Sequence, residues 1–160
     1  MEQNNFSMEQ LRIFYEVWRG CNDVYEEYAK MYGLTSNALF TLHSIYDHPQ
    51  DCTQKLISQE CFIPKQTVNM LLKDLEKRNL IRLVPMPADK RSKIIRLTAE
   101  GKRYIEEVIP ELYKLELSVI DQMGIKHMKK LNDEFGLFVD LFREGIQNKG
   151  EAAKGGRTYE

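Results

Sequence analysis

Pro64-Lys65-Gln66-Thr67-Val68-Asn69-Met70-Leu71-Leu72-Lys73-Asp74-Leu75-Glu76-Lys77-Arg78-Asn79 begins the stretch whose reading decides the fold. Val68, Leu71, Leu72 and Leu75 recur at helical spacing and predict a stripe turned to a core. At about 100° per residue, Gln66, Asn69, Met70, Lys73 and Lys77 share the opposite face. That face carries amide, ammonium and thioether groups and no carboxylate. Asn79 stands where a left-handed helix stop is needed, a role in which Asn is second only to Gly. Downstream, Ile81-Arg82-Leu83-Val84 and Ile94-Ile95-Arg96-Leu97 alternate as strands. Between them Pro85-Met86-Pro87-Ala88-Asp89-Lys90-Arg91-Ser92 is barred from a sheet interior, because its prolines remove ladder donors. It is expected to be an exposed turn tipped by Lys90, Arg91 and Lys93. A polar-faced helix followed by a basic hairpin has the layout of a winged helix-turn-helix.

Asp89-Lys90-Arg91-Ser92-Lys93-Ile94-Ile95-Arg96-Leu97-Thr98-Ala99-Glu100-Gly101 resembles the Asp-x-Arg, Leu-Thr-x-x-Gly signature of the MarR family of bacterial transcriptional regulators. Thr67-Val68 and Leu75-Glu76-Lys77-Arg78-Asn79-Leu80-Ile81 are similar to that family's recognition helix and its exit, in the matching order and separation. The resemblance implies a mostly α fold with a small β-hairpin, built as a winged helix-turn-helix plus a helical dimerisation region. It also implies a sequence-specific DNA-binding regulator of transcription: a cytoplasmic homodimer on a pseudo-palindromic operator, in most cases a ligand-responsive repressor. Carried onto this chain, the recognition-helix contacts fall on Lys65, Gln66, Thr67, Asn69 and Lys73. Gln66 and Asn69 suit adenine edges, Lys73 suits guanine or phosphate, and Lys65 suits the backbone. In the wing the contacts fall on Lys90, Arg91 and Lys93, with Arg91 entering the minor groove and Asp89 orienting it. Pro64 stands where the family usually has a small hydroxyl residue, which leaves that hydroxyl's phosphate contact without a counterpart; proline itself suits a first helical turn.

Working upstream, Leu56 to Val68 has helix-turn-helix dimensions, with Thr53 placed to cap the shorter helix and Cys61-Phe62-Ile63 forming the turn. Ala38, Leu39, Leu42, Ile45 and Tyr46 line a preceding helix that Thr35 or Ser36 opens. Ser7-Met8-Glu9-Gln10 has a capping-box pattern and predicts a long first helix starting near Met8 and closed by Gly33. Leu11, Phe14, Trp18, Cys21, Tyr25 and Tyr28 form one seam on it, while Val17, Val24 and Met31 form a second, seven residues apart. So wide a seam predicts packing against a second helix as well as against its own domain.

Working downstream, Thr98 is expected to cap a long helix with Pro110 inside it, as a kink or local opening. A break at Met123-Gly124 precedes a last helix with Leu131, Phe135, Phe138, Leu141 and Phe142. The resulting division is 1–34, an N-terminal dimerisation helix; 35–97, the DNA-binding region with its wing at about 81–97; 98–147, C-terminal dimerisation helices; and 148–160, a flexible tail.

The bulk properties agree with an ordinary soluble protein: 160 residues, 42% hydrophobic and 29% charged, with a formal net charge of -1. The charge is unevenly spread. Thr53 to Leu97 holds ten Lys and Arg against four Asp and Glu, so a basic module is set in an acidic chain. No apolar run reaches the roughly 18 residues of a membrane span, and no signal peptide is expected. Cys21, Cys52 and Cys61 lack paired metal spacing and are expected to be reduced thiols.

Some MarR-like proteins sense peroxide through a cysteine near the start of the first helix, but Cys21 lies later, on the apolar seam, where Cys acts as a small hydrophobe. A redox regulator working through Cys21 is thus one alternative, and a helical protein-interaction dimer that does not bind DNA is another. His43, His48 and Cys52 do not make a zinc set, because 98–123 contains no His or Cys. Neither a phosphate-binding loop nor a nucleophile motif is present, so no enzyme, no cofactor and no metal are expected. Double-stranded DNA, a second copy of the chain and a small aromatic effector are the expected partners, with no membrane. Trp18, Tyr25, Phe40, His43, Tyr46 and Tyr104 are the rings from which an effector cleft would be built.

Overall fold

The computed structural model describes residues 2–86 and 92–155, with side chains described for 5–86 and 92–150. The elements follow in the order α1 (Glu2–Met31), α2 (Ser36–Asp47), α3 (Gln54–Glu60), α4 (Lys65–Lys77), β1 (Ile81–Pro85), β2 (Lys93–Leu97), α5 (Ala99–Met123) and α6 (Ile125–Gly155). Two compact units divide the chain, Met1–Glu111 and Leu112–Glu160, with the boundary inside α5.

Helix ends in the first unit follow from local chemistry. Gly33, at φ +66°, closes α1: its amide reaches the carbonyl of Lys30, and the Leu34 amide reaches that of Ala29. Thr35 caps α2 by accepting from the Ala38 amide at 3.3 Å, and Thr53 caps α3 by accepting from Leu56 at 3.2 Å. Asn79, at φ +57°, stops α4. Its amide reaches Glu76 and the Leu80 amide reaches Leu75, both at 2.9 Å, while buried Leu75 and Leu80 close the apolar side of the motif.

The core of this unit collects one face from each element. Leu39, Leu42 and Ile45 come from α2, Ile57 from α3, Val68, Leu72 and Leu75 from α4, and Ile95 from β2, all within 2% of complete burial. Ile105, Val108 and Ile109 of α5 join them. Each such side chain contributes roughly 1.5–3 kcal/mol by leaving water. Two tyrosines tie α1 to α5: Tyr28 Oη donates to the Val108 carbonyl at 2.6 Å, and Tyr104 Oη to that of Tyr32 at 2.7 Å.

β1 and β2 form an antiparallel ladder from Ile81–Leu97 to Pro85–Lys93. Its other edge is extended by the segment before α3, where the Ile95 amide donates to the Cys52 carbonyl at 2.9 Å and Thr53 bridges Ile94. The hairpin is therefore anchored to the helix-turn-helix on both sides. The exit from β2 is equally fixed. Thr98 Oγ1 accepts from the Gly101 amide at 2.9 Å and lies 2.6 Å from the Asn79 carbonyl, to which it donates.

The structure departs from the sequence expectations at two helix ends. α1 begins at Glu2 rather than near Met8, because nothing in Glu2 to Ser7 is a Gly or Pro that would stop it. α5 holds Pro110 inside it, as expected. α6 runs to Gly155, past residue 148 where a loose tail was expected to start; an isolated Gly lowers helix stability by only ~1 kcal/mol relative to Ala.

In the second unit α6 carries Phe138 and Phe142 with ring centroids 6.1 Å apart, and Lys129–Asp133 at 2.9 Å on a solvated face. Among the described residues, no helix is long and apolar enough to cross a membrane.

Candidate nucleic-acid interface

α4 presents Lys65, Gln66, Asn69 and Lys73 to solvent, with Thr67 half-buried beside the core residue Val68. Its first turn carries no side-chain cap, since Pro64 holds the N-cap position with φ -56°. Gln54 Nε2 donates to the Lys65 carbonyl at 2.8 Å and so fixes the start of α4 against α3.

A cleft of about 540 Å³ lies between α4, the α3 N-terminus and the hairpin. Lys65 and Asn69 line one wall, Lys93 and Ser92 the other, and Lys55 with Gln54 the end. The structure thus brings together three of the side chains singled out from sequence, Lys65, Asn69 and Lys93. Gln66, Thr67 and Lys73 lie on α4 outside the cleft lining. Asp89, Lys90 and Arg91 lie outside the described residues. Among the described residues, none of Lys55, Lys65, Lys73 and Lys93 takes part in an ion pair, so their charge is directed outward. Arg78 and Arg96 are different. Arg78 lies over the Tyr104 ring at 5.3 Å and donates to its hydroxyl at 3.3 Å, and Arg96 donates to the Pro49 carbonyl at 2.6 Å. These two arginines hold the fold.

Gln54 and Lys55 were not singled out from sequence. Lys55 contributes to the cation count between Thr53 and Leu97 and Gln54 carries no signal there, because the register that puts them beside Lys93 depends on the Thr53–Ile94 bridge.

The aromatic candidates separate into different environments. Tyr25 and Phe40 pack with centroids 5.2 Å apart. Phe40 and His43 line a second cleft of about 430 Å³ with Asp47, His48, Glu60 and Cys61. Each histidine there faces a carboxylate, His43–Asp47 at 3.2 Å and His48–Glu60 at 2.8 Å. Tyr104 is committed to Tyr32 and Arg78, and Trp18 is half exposed on α1. Among the described residues no group of three or more His, Cys, Asp or Glu could hold a metal. Cys52 is fully buried, and burial first of all pushes its thiol up to about 12; burial raises the Cys61 thiol as well. Both disfavour the reactive thiolate. Cys21 is exposed in the single chain.

Comparison with known proteins places this geometry. A model of the MarR family matches residues 32–92, from the end of α1 to the start of the hairpin's return. The HTH-type transcriptional regulator SarZ of Staphylococcus epidermidis is 30% identical over 131 residues, covering 81% of this chain and 85% of SarZ. The chain belongs to the MarR family. Among solved MarR-type structures, NMB1585, a MarR family regulator from Neisseria meningitidis, aligns with a TM-score of 0.75 at 22% identity, over 89% of this chain and 98% of that one. A MepR–DNA complex of S. aureus aligns with a TM-score of 0.70 at 21% identity, over 81% and 94%. The mostly helical fold with its two-stranded wing is the MarR-family winged helix. In that frame α4 has the position of the recognition helix and the β1–β2 hairpin that of the wing.

Proposed function

We propose that this MarR-family chain is a homodimeric, sequence-specific DNA-binding regulator, acting as a ligand-responsive repressor on a pseudo-palindromic operator in the cytoplasm. The observation that carries the reading is the cleft in which Lys65 and Asn69 of α4 face Lys93 of β2, with no carboxylate among the described residues paired to the lysines. Lysines at the mouth of a winged helix suit phosphates on both sides of a major groove, while Asn69 and Gln66 offer the paired donor and acceptor that an adenine edge requires. In this reading residues 35–97 read the duplex, and 1–34 with 98–147 hold two copies together. Their exposed apolar side chains support this, among them Val17, Val24 and Met31 on α1 and Phe135 and Phe142 on α6. Two α4 helices then enter successive major grooves about 34–36 Å apart. Arg91, oriented by Asp89, reaches the minor groove, and Lys90 adds a phosphate contact.

A small aromatic effector acts by binding one spacing of the two α4 helices better than another, since only differential affinity shifts an equilibrium. The cleft beside Phe40 is the place for it, because its walls belong to α2 and to the end of α3 that leads into α4.

Selection of bound sequences from a random duplex pool, followed by titration of the winner at rising salt, tests the reading. A two-fold symmetric motif is expected, with affinity falling on the order of a thousandfold between roughly 50 and 200 mM salt. A folded dimer that enriches no sequence, and binds no duplex at low salt, is a protein-interaction module instead.

A further inference from the structure

The turn joining α3 to α4 contains a residue that the fold does not explain. Phe62 has φ +54°, a left-handed conformation that glycine adopts freely and a bulky side chain does not. Its side chain is 84% exposed. Its neighbours show that the turn is held without it: Ser58 Oγ donates to the Ile63 carbonyl at 2.7 Å, Cys61 Sγ reaches the Phe40 carbonyl at 3.4 Å, and Ile63 is 5% exposed. Among the described residues Phe62 makes no ring contact or cation contact. Glycine at this position would remove both the strain and the exposed ring. A strained backbone carrying an unburied ring points to a contact made outside the chain.

The position says with what. Phe62 lies two residues before Pro64, the N-cap of α4, and four before Gln66. When a recognition helix enters the major groove by its N-terminal part, the turn ahead of it lies at the groove's edge, where one strand's sugar-phosphate backbone passes. We propose that Phe62 is a further DNA-contacting residue, its ring packing on the deoxyribose of the strand bordering the groove beside the start of α4. The proposal rests on the DNA-binding reading and adds an apolar anchor to the lysines.

An apolar contact of this kind has a readout that a cation lacks. Full-length wild type, Phe62→Gly and Phe62→Tyr are titrated by fluorescence anisotropy with the selected duplex and with an unrelated one, over a range of salt, and each is unfolded in urea. Phe62→Gly is expected to unfold at the wild-type midpoint or above it, because the strain is gone. It should bind both duplexes about tenfold more weakly, the effect of taking part of a phenyl ring back into water. Its slope of log affinity against log salt stays at the wild-type value, since a ring releases no counterions. Phe62→Tyr keeps wild-type affinity.

Undiminished binding by Phe62→Gly overturns the proposal, as does a loss that Phe62→Tyr shares. A changed sedimentation mass in Phe62→Gly overturns it too, assigning the ring to a contact between copies. A folded wild type that binds neither duplex would remove the DNA-binding reading itself, which separates that failure from this one.

Discussion

At Gly101 a methyl group in place of the α-hydrogen would put Cβ 1.8 Å from the carbonyl oxygen of Leu80 and 2.7 Å from its carbon. Neither side can yield easily. The Leu80 carbonyl accepts from the Thr98 amide at 3.1 Å, and the Leu80 amide is spent on Leu75. Gly101 in turn donates to Thr98 Oγ1. The Leu-Thr-x-x-Gly pattern thus records a hydroxyl cap and a close backbone crossing. Gly101→Ala is expected to lower stability by about 2–4 kcal/mol, seen as a lower urea midpoint at unchanged m-value. Cys52 makes a different kind of statement. Unfolded, its thiol titrates near the ordinary 9.0; folded, burial holds it up to about 12. Between those values the folded state keeps a proton that the unfolded chain has lost, so this group's contribution to stability falls as pH rises from about 9 toward 12. The stability difference between wild type and Cys52→Ala should therefore shrink across that window in urea unfolding at stepped pH. An unchanging difference would mean that the thiol titrates normally. At pH of about 8, iodoacetamide should reach Cys52 only after unfolding.

Elements were legible in the sequence wherever a local pattern ends in a local device. The stripe Val68, Leu72, Leu75 with Asn79 behind it marked α4, and the residue at the stop does adopt positive φ. Gly33, Thr53 and Thr98 ended or opened their helices as their chemistry requires. Long-range hydrogen bonds leave no such trace. The Tyr28–Val108 and Tyr104–Tyr32 bonds, and the pairing of Cys52-Thr53 with β2, join segments dozens of residues apart, and neither periodicity nor composition signals them. The candidate site was legible to the same degree. Lys65, Asn69 and Lys93 could be named from charge and helical phase, whereas Gln54 and Lys55 enter the cleft only through the β2 register. Phe62 falls in the expected turn, but nothing in the sequence signals its left-handed backbone, because Phe carries no preference for it. The proposed division of labour between α4 and the hairpin leads to paired mutants. Lys93→Ala should weaken binding to all duplexes alike and lower the salt slope by about one per protomer. Asn69→Ala should leave the slope unchanged and relax preference at one base pair of each half-site, by about 1–3 kcal/mol. If the two mutants gave the same profile on matched and mismatched duplexes, helix and hairpin would not have separate roles.

On the scale of the whole molecule, the distribution of apolar surface asks for a second copy. α1 exposes Val17, Val24 and Met31 at intervals of seven, and α6 exposes Leu131, Phe135, Phe138, Leu141 and Phe142. An isolated soluble chain seldom leaves so much aromatic and aliphatic surface to water. A self-associating helical region would cover it and would hold two DNA-reading units at a fixed separation. That arrangement makes affinity depend on assembly, because the second half-site is bound at the effective concentration set by the first. Phe142→Asp places a charge among the exposed apolar side chains of α6 and leaves the residues of α4 and the hairpin unchanged. It should shift the protein from dimer to monomer in sedimentation equilibrium and weaken binding to a two-fold operator on the order of a hundredfold or more. Affinity for a single half-site should remain within about twofold of wild type, the allowance for a surface substitution outside the DNA-reading unit. Stability carries the same signature: the wild-type urea midpoint should rise with protein concentration, because folding and assembly are linked, and that of Phe142→Asp should not. A wild-type midpoint indifferent to concentration, together with full operator affinity in Phe142→Asp, would show that one protomer reads DNA alone and that the apolar face of α6 serves another purpose.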